Sequence, residues 1–126
     1  MKLLGMDYGK SKVGLALGDT ESRVATPFKI LKNKNKDFLF KELKKICDEE
    51  GIEKIIVGLP INSQAHSPEQ VDITQDFICR LEESLNINIE IQDEQLTTRY
   101  AKRLSPKGDE DAVAAMIILQ SYLDSQ

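Results

Sequence analysis

The residues in this chain that could do chemistry are carboxylates placed at junctions between apolar segments. Asp7 follows the apolar run Leu3-Leu4-Gly5-Met6, Asp93-Glu94 follow the alternating Ile87, Ile89 and Ile91, and Asp109-Glu110-Asp111 precede AVAAMIILQSYL. An acid at the inner end of an apolar strand is costly unless something compensates its charge. Acids brought together repel one another, so a cluster persists only with cations or with shifted protonation. Oxygen ligands without cysteine or histidine suit hard ions such as Mg²⁺ or Mn²⁺. A pair of such ions ~4 Å apart is the usual device for in-line phosphodiester hydrolysis. Each acid also has a plainer reading. Asp7 could cap its own turn, and acids opening a helix offset its dipole. Spacing does not choose among Asp109, Glu110 and Asp111, and strand alternation says only that Asp93 and Glu94 point opposite ways.

The elements that must position these acids read as alternating strands and helices. Tyr8-Gly9-Lys10-Ser11 is a turn cluster, and Val13, Leu15 and Leu17 alternate with Gly14, Ala16 and Gly18, which predicts a β-hairpin. Asp7 then shares a face with Leu3 and Gly5, and the small residues Gly5, Gly14, Ala16 and Gly18 would let another backbone or a ligand come close. Val24–Leu31 is a third strand, with Pro27 suggesting an edge. Leu39, Leu43, Ile46 and Cys47 form a helical stripe that Gly51 can stop. Ile55–Pro60 reads as a strand covered on both faces, followed by a polar loop over Asn62–Ser67. Ser67-Pro68-Glu69-Gln70 has the form of a capping box, and Val71, Thr74, Ile78, Leu81 and Leu85 continue at helical spacing up to Asn86. Leu96-Thr97-Thr98 can open a short helix carrying Arg99, Lys102 and Arg103 on one face. The last helix is apolar nearly all round and is therefore expected to be buried.

Composition narrows the class. The 126 residues, 40% hydrophobic and 30% charged, suit one globular domain spanning 1–126. No apolar run spans a bilayer and the N-terminus has no signal-peptide layout, so a cytoplasmic protein with no membrane partner is expected. Cys47 and Cys79 fall within helical patterns and read as reduced core residues. His66, without a nearby partner, reads as a loop residue. The net charge of −4 argues only weakly against nucleic acid, since two divalent cations would offset it. Lys29–Lys45 carries seven lysines against Asp37 and Glu42, which reads first as a solvated face and second as a patch able to track phosphates. Gly9-Lys10-Ser11 is not a P-loop, because Leu4 stands where that motif needs glycine and the turn leads into a strand. Nor does Gly5-x-x-x-Gly9 match the dinucleotide fingerprint.

Four segments in order resemble one family. They are Met6-Asp7-Tyr8-Gly9 with Val13–Asp19, Ile56-Val57-Gly58-Leu59-Pro60-x-Asn62, Asp93-Glu94-x-Leu96-Thr97-Thr98, and Asp111-x-x-Ala114-Ala115-x-x-Ile118–Asp124. Together they closely resemble the YqgF family, bacterial Holliday-junction-resolvase-like proteins also described as pre-16S ribosomal RNA nucleases. The resemblance implies an α/β, ribonuclease-H-like fold: a five-stranded mixed sheet, its first three strands antiparallel and the later ones parallel, with helices on both faces. It also implies catalysis and metal binding by Asp7, Glu94 and Asp111, holding Mg²⁺ or Mn²⁺, as two ions. Against the family pattern, the Leu104-Ser105-Pro106-Lys107-Gly108 connection is short, and Ser63–Ser67 lacks the usual glycine- and threonine-containing turn.

The leading expectation is a metal-dependent nuclease acting on structured nucleic acid, processing the 5′ end of pre-16S ribosomal RNA. Lys12, Arg99, Lys102, Arg103 and Lys107 are its candidate phosphate contacts. A Holliday-junction resolvase cutting branched DNA would use the same chemistry but needs a two-fold homodimer, whereas the RNA enzyme could be a monomer. A non-catalytic nucleic-acid-binding protein, or a sugar-kinase-like phosphate binder, would keep the hairpin without the nuclease. The chain is short for the two-lobed kinase architecture.

Overall fold

Alternating apolar residues make the first three segments strands, and the polypeptide sets them side by side as antiparallel neighbours. In the computed structural model, which describes residues 1–59, 68–93 and 110–126, the elements run β1 (Lys2–Tyr8), β2 (Lys12–Asp19), β3 (Ala25–Lys32), α1 (Lys36–Glu50), β4 (Ile52–Leu59), α2 (Pro68–Leu85), β5 (Asn88–Asp93) and α3 (Glu110–Asp124). The strands form one sheet in the order β3-β2-β1-β4-β5. β1 pairs antiparallel with β2, and β2 with β3, while β1–β4 and β4–β5 are parallel. Parallel neighbours need a crossover, and α1 and α2 supply it. β3 is an edge, as Pro27 suggests, and its pairing with β2 shifts between Leu15 and Ala16, so that Phe28 falls between the paired residues Pro27 and Lys29.

Burial divides cleanly between the two faces. On one, Leu4, Met6, Val13 and Leu15 pack with Leu39 and Leu43 of α1 and Phe77, Ile78 and Leu81 of α2. On the other, Leu3, Ala16, Ala25 and Ile56 pack with Ala115, Ile118, Leu119, Tyr122 and Leu123 of α3. Each fully buried leucine or isoleucine stabilises the fold by about 1.5–3 kcal/mol before conformational entropy is set against it. Helix limits follow local chemistry. The Asn35 side chain accepts a hydrogen bond from the Phe38 N–H at 2.8 Å to cap α1. Gly51 (φ 67°) and Asn86 (φ 53°) end α1 and α2 in the left-handed conformation expected of them.

Two expectations need correction. Cys47 is buried, and burial aided by the Asp48 charge pushes its thiol up to about 11, whereas Cys79 is exposed. Cys79 lies on α2 beside, not within, the stripe formed by Phe77, Ile78 and Leu81. The last helix is covered where it meets the sheet, but Met116 and Ile117 on its other side are only half-buried. The Ser67 capping box, the Asn62–Ser67 loop, His66 and the helix expected after Thr98 lie outside the described residues.

A polar tie joins the sheet to α3 away from the first-strand acid. Lys54 on β4 donates to Glu90 on β5 at 2.9 Å and to the Tyr122 hydroxyl at 3.3 Å. The Glu90 contact, and then the Tyr122 contact, raise the Lys54 pKa, while the Lys54 bond lowers that of Glu90. A lowered carboxylate pKa contributes stability that is present above its unfolded value and lost as pH falls through its folded value. A raised lysine pKa contributes stability lost only as pH rises through that value. Glu90 is 46% exposed, so solvent screening limits the pair to less than about 1 kcal/mol. We expect Lys54→Met to lower urea-unfolding stability by that order at neutral pH, with the difference from the parent shrinking under acid conditions.

Candidate nuclease site

The carboxyl ends of β1, β4 and β5 share one edge of the sheet because these strands run parallel, and in an open α/β sheet that is where ligands bind. Asp7 stands there, half-buried, with Gly14 as its partner on β2 and Gly58 as its partner on β4. Neither lateral neighbour has a side chain, so Asp7 carries the only side chain of these three positions on the face that meets α3. The same row continues to Gln92 on β5, whose amide donates to the Ser121 hydroxyl of α3 at 3.1 Å. Gln92 therefore faces the same side as Asp7.

The small residues of the hairpin receive α3. A Cβ at Gly14 would run into the carbonyl of Asp111 and lie 2.9 Å from the Ala112 nitrogen. At Gly5 it would meet Leu119 at 2.8 Å and the Ala115 carbonyl at 2.9 Å, and at Gly18 it would meet Leu119 at 2.8 Å. Contacts this close are possible only where side chains are missing. The expectation that another backbone comes close here is thus met by one particular helix. Its first turn rests on Gly14, so the Asp111 backbone sits over the glycine that neighbours Asp7 in the sheet, with neighbouring strands ~4.8 Å apart. Asp111, half-buried in the first turn of α3, is also electrostatically favoured there.

An aromatic stack and a set of turn hydrogen bonds hold the Asp7 strand end in place. On the face away from α3, Tyr8 stacks on Phe77 with ring centroids 3.9 Å apart and planes 15° apart, and Phe40 tilts against Phe77 at 5.6 Å. Beyond it, the Gly9 N–H donates to the Lys12 carbonyl at 3.0 Å, and the Asn33 N–H donates to the Ser11 carbonyl at 2.9 Å. The Asn33 side-chain amide donates to the Gly9 carbonyl at 2.9 Å. Asn33 therefore clamps the turn from the β3–α1 junction. Sequence reasoning missed Phe77 and Asn33. Phe77 was discoverable, since it lies four residues before Leu81, whereas nothing local signals that Asn33 reaches Gly9. Asn33→Ala should lower stability by about 1 kcal/mol, the worth of one hydrogen bond, measured by chemical unfolding.

Lys12 opens β2, exposed, beside the turn. Asp93 closes β5 opposite Leu59. Glu94, Arg99, Lys102, Arg103 and Lys107 lie outside the described residues. Among the described residues no group of three or more His, Cys, Asp and Glu could hold a metal ion. Asp7 and Asp111 are two of the three acids expected, and Glu94 is the third. Carboxylate oxygens beside glycines, with no cysteine or histidine among them, fit a hard divalent cation.

Comparison with known proteins gives the family and the fold. Residues 1–125 match the family model described as "RuvX: Holliday junction resolvase". A Rickettsia peacockii protein named "Putative pre-16S rRNA nuclease" is 36% identical over 132 residues, covering 98% of this chain and 86% of its own. A Clostridium botulinum protein of the same name is 36% identical over 133 residues, covering 98% and 97%. Among solved structures, Thermus thermophilus RuvC in complex with a Holliday junction substrate superposes with a TM-score of 0.65 at 12% identity, covering 99% of this chain and 95% of RuvC. The fowlpox virus Holliday junction resolvase superposes at 0.56 with 15% identity, covering 100% of both chains. The fold is therefore ribonuclease-H-like, the one implied by the sequence motifs. With the match running over nearly its whole length, the chain belongs to the RuvX (YqgF) family of nucleases, enzymes that act on phosphodiester bonds.

Proposed function

We propose that this chain, as a single domain over 1–126, is a divalent-metal-dependent nuclease that processes the 5′ end of pre-16S ribosomal RNA in the cytoplasm. The observation that carries the metal site is Asp7 flanked by Gly14 and Gly58, with the Asp111 backbone laid against Gly14. Asp7, Asp111 and Glu94 hold Mg²⁺ or Mn²⁺ in this reading. Glu94 follows Gln92 by two residues, and Gln92 belongs to the row that contains Asp7. Two such ions, when bound, supply the positive charge that stabilises the attacking and leaving oxygens of phosphodiester hydrolysis. The protein's own part is to hold three acids at fixed positions, which the Tyr8–Phe77 stack and the Asn33 clamp favour for Asp7. Lys12, Arg99, Lys102, Arg103 and Lys107 contact substrate phosphates. The relatives named as pre-16S rRNA nucleases support the RNA substrate.

The family description favours a second substrate, a four-way DNA junction cut by a homodimer. Incubating the purified protein with a pre-16S fragment and with a four-way junction, in Mn²⁺ or in chelator, separates these readings. Cutting of the RNA at its 5′ side that requires Mn²⁺ is the expected result. Symmetric cutting of the junction alone moves the assignment to resolvase. Binding without cutting of either substrate in Mn²⁺ overturns the nuclease and leaves a nucleic-acid-binding protein.

A further inference from the structure

A cluster of lysines lies at the same sheet edge as Asp7 but on the far side from β5. Lys12 and Lys32 are directly paired across β2 and β3. Like charges placed opposite one another destabilise a sheet. Among the described residues neither lysine is in an ion pair. Lys12 lies two residues from Gly14, so it shares the face of Asp7, ~7 Å along the strand from Gly14. Lys10 in the turn, and Lys34 and Lys36 after β3, extend the charge, and Asp37 is the only acid from Ala25 to Lys41. The backbone beneath is fixed. Asn33 ties the junction to the turn by two hydrogen bonds, and Asn35 caps α1.

Resting on the nuclease reading above, we propose that Lys32, Lys34 and Lys36 join Lys12 to form a ledge that grips the sugar-phosphate backbone flanking the scissile bond. The substrate strand then leaves Asp7 across β2 toward β3 and the start of α1. Repulsion between Lys12 and Lys32 is relieved when phosphates bind between them. The Asn33 clamp keeps the ledge and the catalytic strand end in one rigid frame, so a phosphate held by the ledge is also placed relative to Asp7. This is how a chain with net charge −4 can grip a polyanion: five of its 17 cations, Lys10, Lys12, Lys32, Lys34 and Lys36, fall in the turn, the β2–β3 pair and the start of α1, and local clustering outweighs the total.

The test compares Lys32→Gln/Lys34→Gln/Lys36→Gln with a control of equal charge change, Lys41→Gln/Lys44→Gln/Lys45→Gln. The control residues lie further along α1, on average beyond the ~10 Å screening length at 0.1 M salt from their counterparts. Binding of a fluorescent pre-16S fragment is followed by anisotropy in chelator, between 50 and 200 mM KCl, concentrations chosen to resolve the salt dependence. Each lost phosphate contact should lower the slope of log K against log salt by about 0.7–0.9. We expect the ledge variant to lose about two units of slope and at least about tenfold in affinity at the lowest salt, with less than about threefold lost in the control. An unchanged slope, equal weakening in the control, or a parent protein that binds phosphatidylserine vesicles and no RNA overturns the ledge. Because binding is read without metal, absent Mn²⁺-dependent cutting with an altered slope would refute the nuclease and keep the ledge.

Discussion

Gly14→Ala will weaken the fold by about 3 kcal/mol, and lower nuclease activity further than unfolding explains. One methyl group suffices because it would enter the space held by the Asp111 carbonyl and approach the Ala112 nitrogen. Both are backbone atoms at the start of a helix, which no rotamer change can move. The first turn of α3 must lift from β2, and overpacking of this kind costs about 1–3 kcal/mol and occasionally more. Lifting also carries Asp111 away from Asp7. A displacement of ~1 Å in a catalytic arrangement can cost on the order of a hundredfold in rate. Urea unfolding and single-turnover cleavage, both on Gly14→Ala, check the two halves separately. Gly18→Ala is the comparison, because its clash is with the flexible end of Leu119 and it lies away from Asp7. It should cost stability with little specific loss of rate. Equal activity per folded molecule in Gly14→Ala and the parent would mean Asp111 has no part in the reaction.

Asp7→Asn is expected to reduce Mn²⁺-dependent cleavage more than about a hundredfold, since even an outer partner of a metal ligand is worth ~10–100-fold. Asparagine keeps the shape of the side chain but removes the charge, and a neutral amide is a poor ligand for a hard cation. Far-UV circular dichroism should be unchanged, because the strand pairs through backbone groups that the substitution leaves in place. Single-turnover cleavage over a range of Mn²⁺ concentrations shows where the effect lies. Recovery of the rate at high Mn²⁺ would mean weakened affinity alone, and a full rate at low Mn²⁺ would remove Asp7 from the site.

Local pattern settled most of the architecture. The period-2 alternation of Val13, Leu15 and Leu17, the buried run Ile55–Val57 and the stops at Gly51 and Asn86 each depend on neighbours within a few residues, and each is present as expected. Cys79 is exposed, against expectation, because a helical stripe is narrow and one position beside Ile78 is enough to leave it. Met116 and Ile117 show the same limit: apolarity all round does not say how much of a helix its neighbours cover.

Residue types and their order along the chain determined the five strands, the covering helices, a family resemblance and a short roster of acids. Local pattern could not say which acids meet, because meeting is a property of register and close approach. Tertiary structure decided that Gly14 is at once the sheet partner of Asp7 and the seat of Asp111. It also decided that Asn33 reaches back 24 residues to hold the turn, and that Lys12 faces Lys32 across two strands. Hydrophobic periodicity reports which side of an element is buried, but long-range pairing sets what lies beside it.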